Sequence, residues 1–293
     1  MNPDFTLSIY QKFLTTLQNE GFAFHPFCEF LERPAGRAVI LRHDVDKLPG
    51  NALHMAQLEH RLGIRGSYYF RVVKGSWDEG IIGKIAAMGH ETGYHYEDLS
   101  LCKGNKEEAI RHFEHQLERF RKLCPVKTIC MHGSPLSKHD NRDLWKHYDY
   151  RNYGIAGEPY FDLDFSRVFY LTDTGRRWDG QRYSVRDKII TPGHTSAQTR
   201  DNPPVKSREN PPVETHGRAS LQEQNPTYSS TNDIIAAINN NTLPHPLMIT
   251  IHPQRWTNRP LPWLRELVWQ NVKNVIKAHH VRSQHRRTFK NHE

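Results

Sequence analysis

Short apolar segments, each of a length suited to a β-strand, alternate along this chain with longer segments of helical periodicity. In the last helical segment, for example, Leu264, Leu267, Val268, Val275 and Ile276 share one side. Strand followed by helix, repeated, predicts a parallel sheet, because each helix returns the chain to the end at which the next strand begins. We therefore predict an α/β fold in which about seven parallel strands form a distorted (β/α) barrel. The strands that we predict are AVILRHDVD (38–46), GSYYFRV (66–72), HETGYH (90–95), KTICMH (127–132), RVFYLTD (167–173) and LMITIHP (247–253).

The composition of the chain excludes several classes of protein. Its 293 residues are 37% hydrophobic and 25% charged, which is ordinary for a globular protein with a sizeable core. No segment approaches the roughly 20 consecutive apolar residues that span a bilayer, so we expect no membrane span. The first residues lack the basic and apolar regions of a secretory signal, and we therefore expect a cytoplasmic location.

The net positive charge raises the question of nucleic-acid binding. Of the formal net charge of +8, a surplus of three comes from residues 279–293, which hold four Lys or Arg and one Glu. A basic tail of this kind is usually a solvated chain end, and no recognition helix, zinc finger or aromatic RNA-binding strand is visible. We expect no nucleic-acid partner. A binder driven by this tail would show a steep salt dependence that disappears when the tail is removed.

The domain organisation follows from where the alternation of strands and helices begins and ends. We assign residues 1–35 to an N-terminal helix and lead-in, residues 36–278 to the barrel and residues 279–293 to a basic tail. Residues 193–230 interrupt the barrel with five prolines and with four basic and four acidic side chains. This segment predicts either a mobile loop or lid, or a surface insertion without a function.

The predicted strand at residues 38–46 ends in a concentration of charge. Because alternate side chains of a strand share a face, Arg42, Asp44 and Asp46 point one way and His43 points the other. The two carboxylates converge at the carboxyl end of the strand, where α/β barrels build their sites. An Asp-x-Asp pair alone also fits capping and ion pairing with Arg42.

Three other predicted strands end in histidine. His95 closes HETGYH, His132 closes KTICMH and His252 lies near the end of LMITIHP, while Glu97 and Asp98 follow shortly after the first of these. Carboxyl ends of parallel strands meet at one edge of a sheet, so we expect these side chains to lie near the two aspartates. Nitrogen and oxygen donors that converge in this way suit a divalent transition metal such as zinc.

Four segments, ILRHDVD, GSYYFRV, GHETGYH and LMITIHP, resemble in order and spacing the motifs of the NodB-homology polysaccharide deacetylases, which form carbohydrate esterase family 4. The resemblance covers roughly residues 36–278. It implies a barrel of the NodB-homology type and a metal-dependent hydrolysis that removes N-acetyl groups from sugars.

The resemblance also implies roles for individual residues. Asp44 matches the general base of the family, Asp46 and His95 match metal ligands, and His252 matches the general acid. The segment LTDTGRRW is similar to the motif whose acidic and basic side chains orient the base. The residues that it and the first strand offer for orienting the base or binding substrate are Arg42, Asp173, Arg177 and Trp178.

The family places a second metal-binding histidine four residues after the first, and that position is Leu99 in this chain. A leucine cannot ligate a metal, so another donor is needed to complete the site. His132 is one candidate for the third ligand, and Glu97 and Asp98 are the alternatives.

The expected substrate follows from the resemblance and from the absence of a secretory signal. We expect a glycan precursor, such as a nucleotide-linked or lipid-linked N-acetyl sugar used in surface polysaccharide synthesis. One alternative is hydrolysis of another C–N amide bond, such as that of a cyclic ureide. The other is a non-catalytic carbohydrate-binding protein, in which the change at Leu99 has emptied the metal site. The sequence does not predict the oligomeric state.

Overall fold

The computed structural model describes residues 3–134, 137–178 and 226–273. Its centre is a sheet of seven strands, and every pair of neighbouring strands is parallel. The order across the sheet is β5-β4-β3-β2-β7-β6, and β1 pairs with β2 beside this path. The strands are β1 (Ala23–His25), β2 (Ala38–Val45), β3 (Ser67–Phe70), β4 (Glu91–Tyr96), β5 (Ile129–Met131), β6 (Phe169–Thr172) and β7 (Leu247–Ile251).

Helices connect these strands and cover the sheet. Several of them begin at a side chain that accepts a hydrogen bond from the first turn, as Thr6, Asp78, Asn105 and Ser230 do. The α-helices are α1 (Leu7–Asn19), α2 (Phe27–Glu32), α3 (Pro49–Arg61), α4 (Glu79–Ala87), α5 (Asp98–Leu101), α6 (Lys106–Arg121), α7 (Pro159–Asp162), α8 (Thr231–Asn239) and α9 (260–273). The repeated order of strand, helix and strand confirms the predicted α/β fold.

The sheet is curled, because side chains from its two ends meet on the same side. Cys130 of β5 and Tyr170 of β6 belong to one buried cluster with Ile40, Tyr69 and Met248. Since β5 and β6 lie at opposite ends of the strand order, a flat sheet would keep them apart. In the described residues these two strands do not pair with each other, so the strands form a half-barrel.

The outward faces of the strands pack against two groups of helices. Val39, Leu41 and Ile249 lie in a cluster with the apolar sides of α1 and α8, whereas β4 and β5 are covered chiefly by α6. Burial on both faces explains why β2 and β7 are apolar over most of their length. The lead-in before residue 36 supplies α1 and β1 to this same body.

Some predicted segments lie outside the described residues. Residues 193–225 of the expected loop and the basic tail 279–293 are among them, and the described chain resumes at residue 226, shortly before α8. In the parts of the chain that the structure describes, no helix is both long enough and apolar enough to cross a membrane.

Gly93 is required by close packing inside β4. A Cβ atom at this position would lie 2.6 Å from the backbone oxygen of Thr128 and 2.6 Å from the ring of Tyr69. We expect Gly93→Ala to lower the free energy of unfolding by about 1–3 kcal/mol, because neighbouring backbone must shift to admit the methyl group. Urea denaturation followed by circular dichroism measures this loss.

Gly83 in α4 provides the matched control, because nothing lies within 4 Å of the Cβ that an alanine would add there. Gly83→Ala is expected to raise the free energy of unfolding by about 0.5–1 kcal/mol through helix propensity. Equal effects of the two substitutions would contradict the packing argument.

Candidate functional site

The alternation of β2 sorts its charged side chains onto two faces. Arg42 and Asp44 point into the curl of the sheet, and Asp46 follows one residue after the strand ends. His43 points outward, where its ring stacks on Tyr68 at a centroid distance of 3.9 Å. The charged side chains of β2 therefore lie in two separate places. Arg42 and Asp44 lie inside the curl beside the carboxyl ends of the strands, whereas His43 lies outside it.

Three side chains from three strand ends converge beside this inward face. Oδ1 of Asp46 lies 3.6 Å from Nε2 of His95 and 3.5 Å from Nε2 of His132. Their ligand atoms all lie within 4.8 Å of one another, which makes them a group that could hold a metal ion. β4 and β5 are paired neighbours, with His95 opposite Cys130, and this register brings the two histidines together.

The donor atoms of this group fit a divalent metal. Oδ1 of Asp46 is buried and no described residue donates a hydrogen bond to it. Nδ1 of His95 lies 2.9 Å from the backbone oxygen of Cys130, so the ring can donate there and leave Nε2 as a ligand. Tetrahedral ligands at about 2.1 Å from an ion lie about 3.4 Å apart, close to the separations between Asp46 and the two imidazoles.

Glu97 lies behind His132. Its Oε2 atom is 3.0 Å from Nδ1 of His132, and its Oε1 atom accepts a hydrogen bond of 2.7 Å from Arg71. Burial raises the pKa of Glu97, but the contacts with His132 and Arg71 outweigh burial and lower it to about 2. An ionised Glu97 thus orients the ring of His132 and leaves Nε2 toward Asp46, the arrangement of a carboxylate that supports a metal-bound histidine.

Asp98 and Leu99 lie away from the group. The hydroxyl of Tyr94 lies 2.9 and 3.0 Å from the two oxygens of Asp98 and shares its single proton between them. Nδ1 of His112 lies 2.5 Å from Oδ1 of the same carboxylate. Leu99 is buried in the apolar cluster under α6. Of the three alternatives for the third ligand, the structure therefore brings only His132 directly into the group.

Arg42 holds Asp44 through two hydrogen bonds. Nε donates to Oδ1 at 2.9 Å and Nη2 donates to Oδ2 at 2.6 Å, so the carboxylate is fixed in orientation. Burial raises the pKa of Asp44, but the charges of Arg42, His95 and His252 lower it below its ordinary value. Oδ2 lies 3.8 Å from Nε2 of His95, which places an ionised carboxylate beside the candidate metal ligands. A second possible donor set joins Asp44 and His95 to the buried thiol of Cys130.

Asp173 and His252 form a second cluster at the ends of β6 and β7. Nδ1 of His252 lies 2.6 Å from Oδ1 of Asp173, whose Oδ2 accepts hydrogen bonds from the His252 backbone and from Trp256 at 3.0 and 2.8 Å. Nη1 of Arg255 donates to the same carboxylate at 2.5 Å. The ring of His252 is therefore held through Nδ1, which leaves Nε2 for another partner.

Trp178, which was expected to orient the base, is placed in the core, and Arg177 lies at the surface. The side chain of Arg177 is exposed. Trp178 is buried in the core against Phe13 of α1, and its indole donates a hydrogen bond of 2.9 Å to Thr231 of α8. Of the residues in this sequence motif, Asp173 is the one whose contacts place it in the cluster with His252. The positive charge that faces Asp173 comes instead from Arg255, which the sequence analysis did not single out.

A short turn explains how Arg255 reaches Asp173. Residues Pro253–Arg255 form a single 3₁₀ turn directly after β7, and this turn folds Arg255 back beside His252. Gln254 in the same turn donates a hydrogen bond of 3.0 Å to Oδ2 of Asp46. The only signal in the sequence was that both residues lie within three positions of His252.

The stability of the protein should depend on the charge of Asp173 in acid. Burial raises the pKa of Asp173, but Arg255 and His252 outweigh it and lower the pKa to about 2. The stabilisation is complete above about pH 4, where an unfolded aspartate is also ionised, and it is lost as the pH falls toward about 2. We expect the wild type to lose about 2 kcal/mol more than Asp173→Asn over this range, measured by urea unfolding. Parallel pH curves for the two proteins would refute this expectation.

Comparison with known proteins found no family model, curated protein or solved structure that matches this chain. The functional argument therefore rests on the geometry of the two clusters and on the sequence motifs. One cluster offers oxygen and nitrogen ligands next to a buried carboxylate, and the other offers an imidazole held by a carboxylate.

Proposed function

We propose that this protein is a metal-dependent hydrolase of the deacetylase type, which removes an N-acetyl group from a sugar or a glycan precursor used in surface polysaccharide synthesis. The observation that carries the proposal is the presence of both clusters at neighbouring strand ends. β2, which leads to Asp44 and Asp46, pairs directly with β7, which leads to His252. Gln254, two residues after His252, donates a hydrogen bond of 3.0 Å to Oδ2 of Asp46, so a direct contact joins the two strand ends.

Asp46, His95 and His132 would hold the metal, and zinc suits this set of one oxygen and two nitrogen ligands. A divalent metal bound there supplies Lewis acidity toward an acyl carbonyl and toward water. Glu97 and the backbone oxygen of Cys130 keep the two imidazoles oriented with Nε2 toward Asp46. A site with three protein ligands leaves room for substrate, as catalytic metal sites do.

Asp44 is the proposed general base. Its two hydrogen bonds with Arg42 keep the carboxylate ionised and fix the position from which it accepts a proton from the attacking water. Because Arg42 is 1% exposed, this ion pair is shielded from competing solvent.

His252 is the proposed general acid. The carboxylate of Asp173 accepts the hydrogen bond of Nδ1–H and stabilises the imidazolium, which then donates its Nε2 proton to the leaving nitrogen. The hydroxyl group of the attacking water stays on the acyl carbon, and the other proton of that water goes to Asp44. The C–N bond breaks, and the amine leaves with the proton that His252 donates. The products are a carboxylate and a free amine, which for an N-acetyl sugar are acetate and an amino sugar.

The first test is the metal content of the protein purified without a metal-chelating tag. Elemental mass spectrometry of the wild type, Asp46→Ala and the matched surface variant Asp143→Ala tests the ligand set. Asp143 is an exposed residue of a salt bridge with Lys146. The proposal requires roughly one equivalent of metal in the wild type and in Asp143→Ala, and a loss of metal in Asp46→Ala.

A substrate panel then separates the proposed reaction from its alternatives. Release of acetate from nucleotide-linked or lipid-linked N-acetyl sugars, abolished by a chelator, supports the deacetylase. Turnover restricted to cyclic amides assigns the protein to another C–N hydrolysis. Saturable sugar binding without metal and without turnover assigns it to the carbohydrate-binding alternative that Leu99 suggested.

A further inference from the structure

Five apolar side chains of helix α9 are exposed to solvent, whereas Trp263 and Leu267 are half-buried. On its inner side, Gln270 is 3% exposed and Glu266 pairs with Lys47 at 3.4 Å. The outer side chains are between 45% and 79% exposed. They are Leu261, Leu264, Val268, Trp269 and Val272.

The sequence analysis grouped Leu264 and Val268 on one side of this helix, and both are exposed in the structure. A surface helix of a globular protein normally buries its apolar side and exposes its polar side. A contiguous exposed apolar surface of this kind marks an interaction site. We call the outer side of residues 261–272 the apolar face of α9.

The inner side of α9 contacts residues that are close in the chain to the candidate site. Lys47, which pairs with the inner side of α9, directly follows the candidate metal ligand Asp46. On the other side, Nη1 of Arg176 donates a hydrogen bond of 3.2 Å to the backbone oxygen of Trp263. Arg176 follows Asp173 by three residues, so α9 is tied to the chain beside both clusters.

Basic residues lie near the start of α9. A cavity of about 330 Å³ between α1 and α3 is lined by His54, Arg61 and Arg259, and no acidic side chain lines it. Arg259 stands two residues before Leu261, so this basic cavity and the apolar face are adjacent along the chain. Downstream of α9, the sequence of residues 274–293 contains five Lys or Arg and one Glu.

We propose that the apolar face of α9 and the neighbouring basic cavity form a docking surface for a membrane that contains anionic phospholipid. Leucine, valine and tryptophan enter the boundary between headgroups and acyl chains, while arginine and histidine bind the phosphate groups. A second copy of this chain is a poorer occupant, because it would bring the same cations together. Docking there holds the candidate site near the membrane surface, where lipid-linked molecules are found.

Sedimentation of the full chain with vesicles tests this proposal. We expect binding to vesicles of phosphatidylcholine with phosphatidylglycerol, and much weaker binding to phosphatidylcholine alone. The double variant Leu264→Ser/Trp269→Ser should bind the anionic vesicles about tenfold more weakly, because two exposed apolar side chains no longer insert. Arg61→Ala should lower the preference for phosphatidylglycerol.

The matched control is Leu101→Ser, which changes a leucine that is 47% exposed and belongs to a different helix, α5. It should bind like the wild type, and thermal unfolding checks that all variants are folded. Absence of wild-type binding to anionic vesicles, or equal binding by the double variant, overturns the proposal. A wild-type dimer that the double variant dissociates, without vesicle binding, assigns the face to a second copy. Vesicle binding is also measured in the presence of a chelator, which removes any metal. A negative result therefore concerns the docking surface alone, and the proposed hydrolysis is tested separately by metal content and acetate release.

Discussion

Replacing Asp44 by asparagine is expected to slow hydrolysis of the best substrate in the panel by about 10²- to 10⁴-fold, the contribution of a positioned general base. Asparagine keeps the shape of the side chain and one acceptor for Arg42, but it cannot take a proton from water. The metal content should not change, since the proposed ligands are Asp46, His95 and His132. Steady-state rates of acetate release and elemental analysis of the same preparation measure the two effects together.

The control for this substitution is Asp143→Asn, which makes the same chemical change at an exposed surface carboxylate. It should retain the wild-type rate. Full activity of Asp44→Asn would exclude Asp44 as the base. Loss of metal in that variant would instead move Asp44 into the ligand set, together with the buried Cys130 that lies near it.

Replacing His132 by alanine is expected to weaken zinc binding by more than about 100-fold, because it removes a direct ligand rather than a supporting group. Glu97→Gln should weaken it by about 10- to 100-fold, since Glu97 only orients His132. Competition with a fluorescent zinc chelator measures both affinities.

Asp98→Asn is the control that separates these neighbouring carboxylates. Asp98 bonds to Tyr94 and His112 and should not affect zinc affinity. If Glu97→Gln cost more affinity than His132→Ala, Glu97 would be the ligand and His132 its support. This series therefore shows which of His132, Glu97 and Asp98 is the third metal ligand.

The main strands were predictable from the sequence because their signals are local. Apolar runs and helical spacing located six strands, and the two-residue period of β2 placed Arg42 and Asp44 on one face and His43 on the other. Strand β1 was missed, since Ala23–His25 is three residues long and gains its strand geometry by pairing with β2. The candidate site was predictable in outline for a related reason, because parallel strands place their carboxyl ends at one edge.

The remaining features depend on how distant segments pack. The sequence showed that α9 has an apolar side, but not which side would face the body, because the contacts of Lys47 and Arg176 decide that orientation. Trp178 was assigned to the site from a motif. In the structure its indole is buried between Phe13 of α1 and Thr231 of α8. Local sequence does not encode such choices, since several burial arrangements satisfy the same pattern.

The two clusters at the sheet edge show most clearly which features follow from the sequence and which follow from the tertiary structure. Period and chain order alone established a parallel α/β chain with acidic and imidazole groups at its strand ends, since both follow from backbone geometry. Only the tertiary structure selected His132 to face Asp46, turned Glu97 behind it and brought Arg255 to Asp173. These contacts join strands and turns separated by tens of residues, so their geometry is set by strand order, register and the packing of individual side chains.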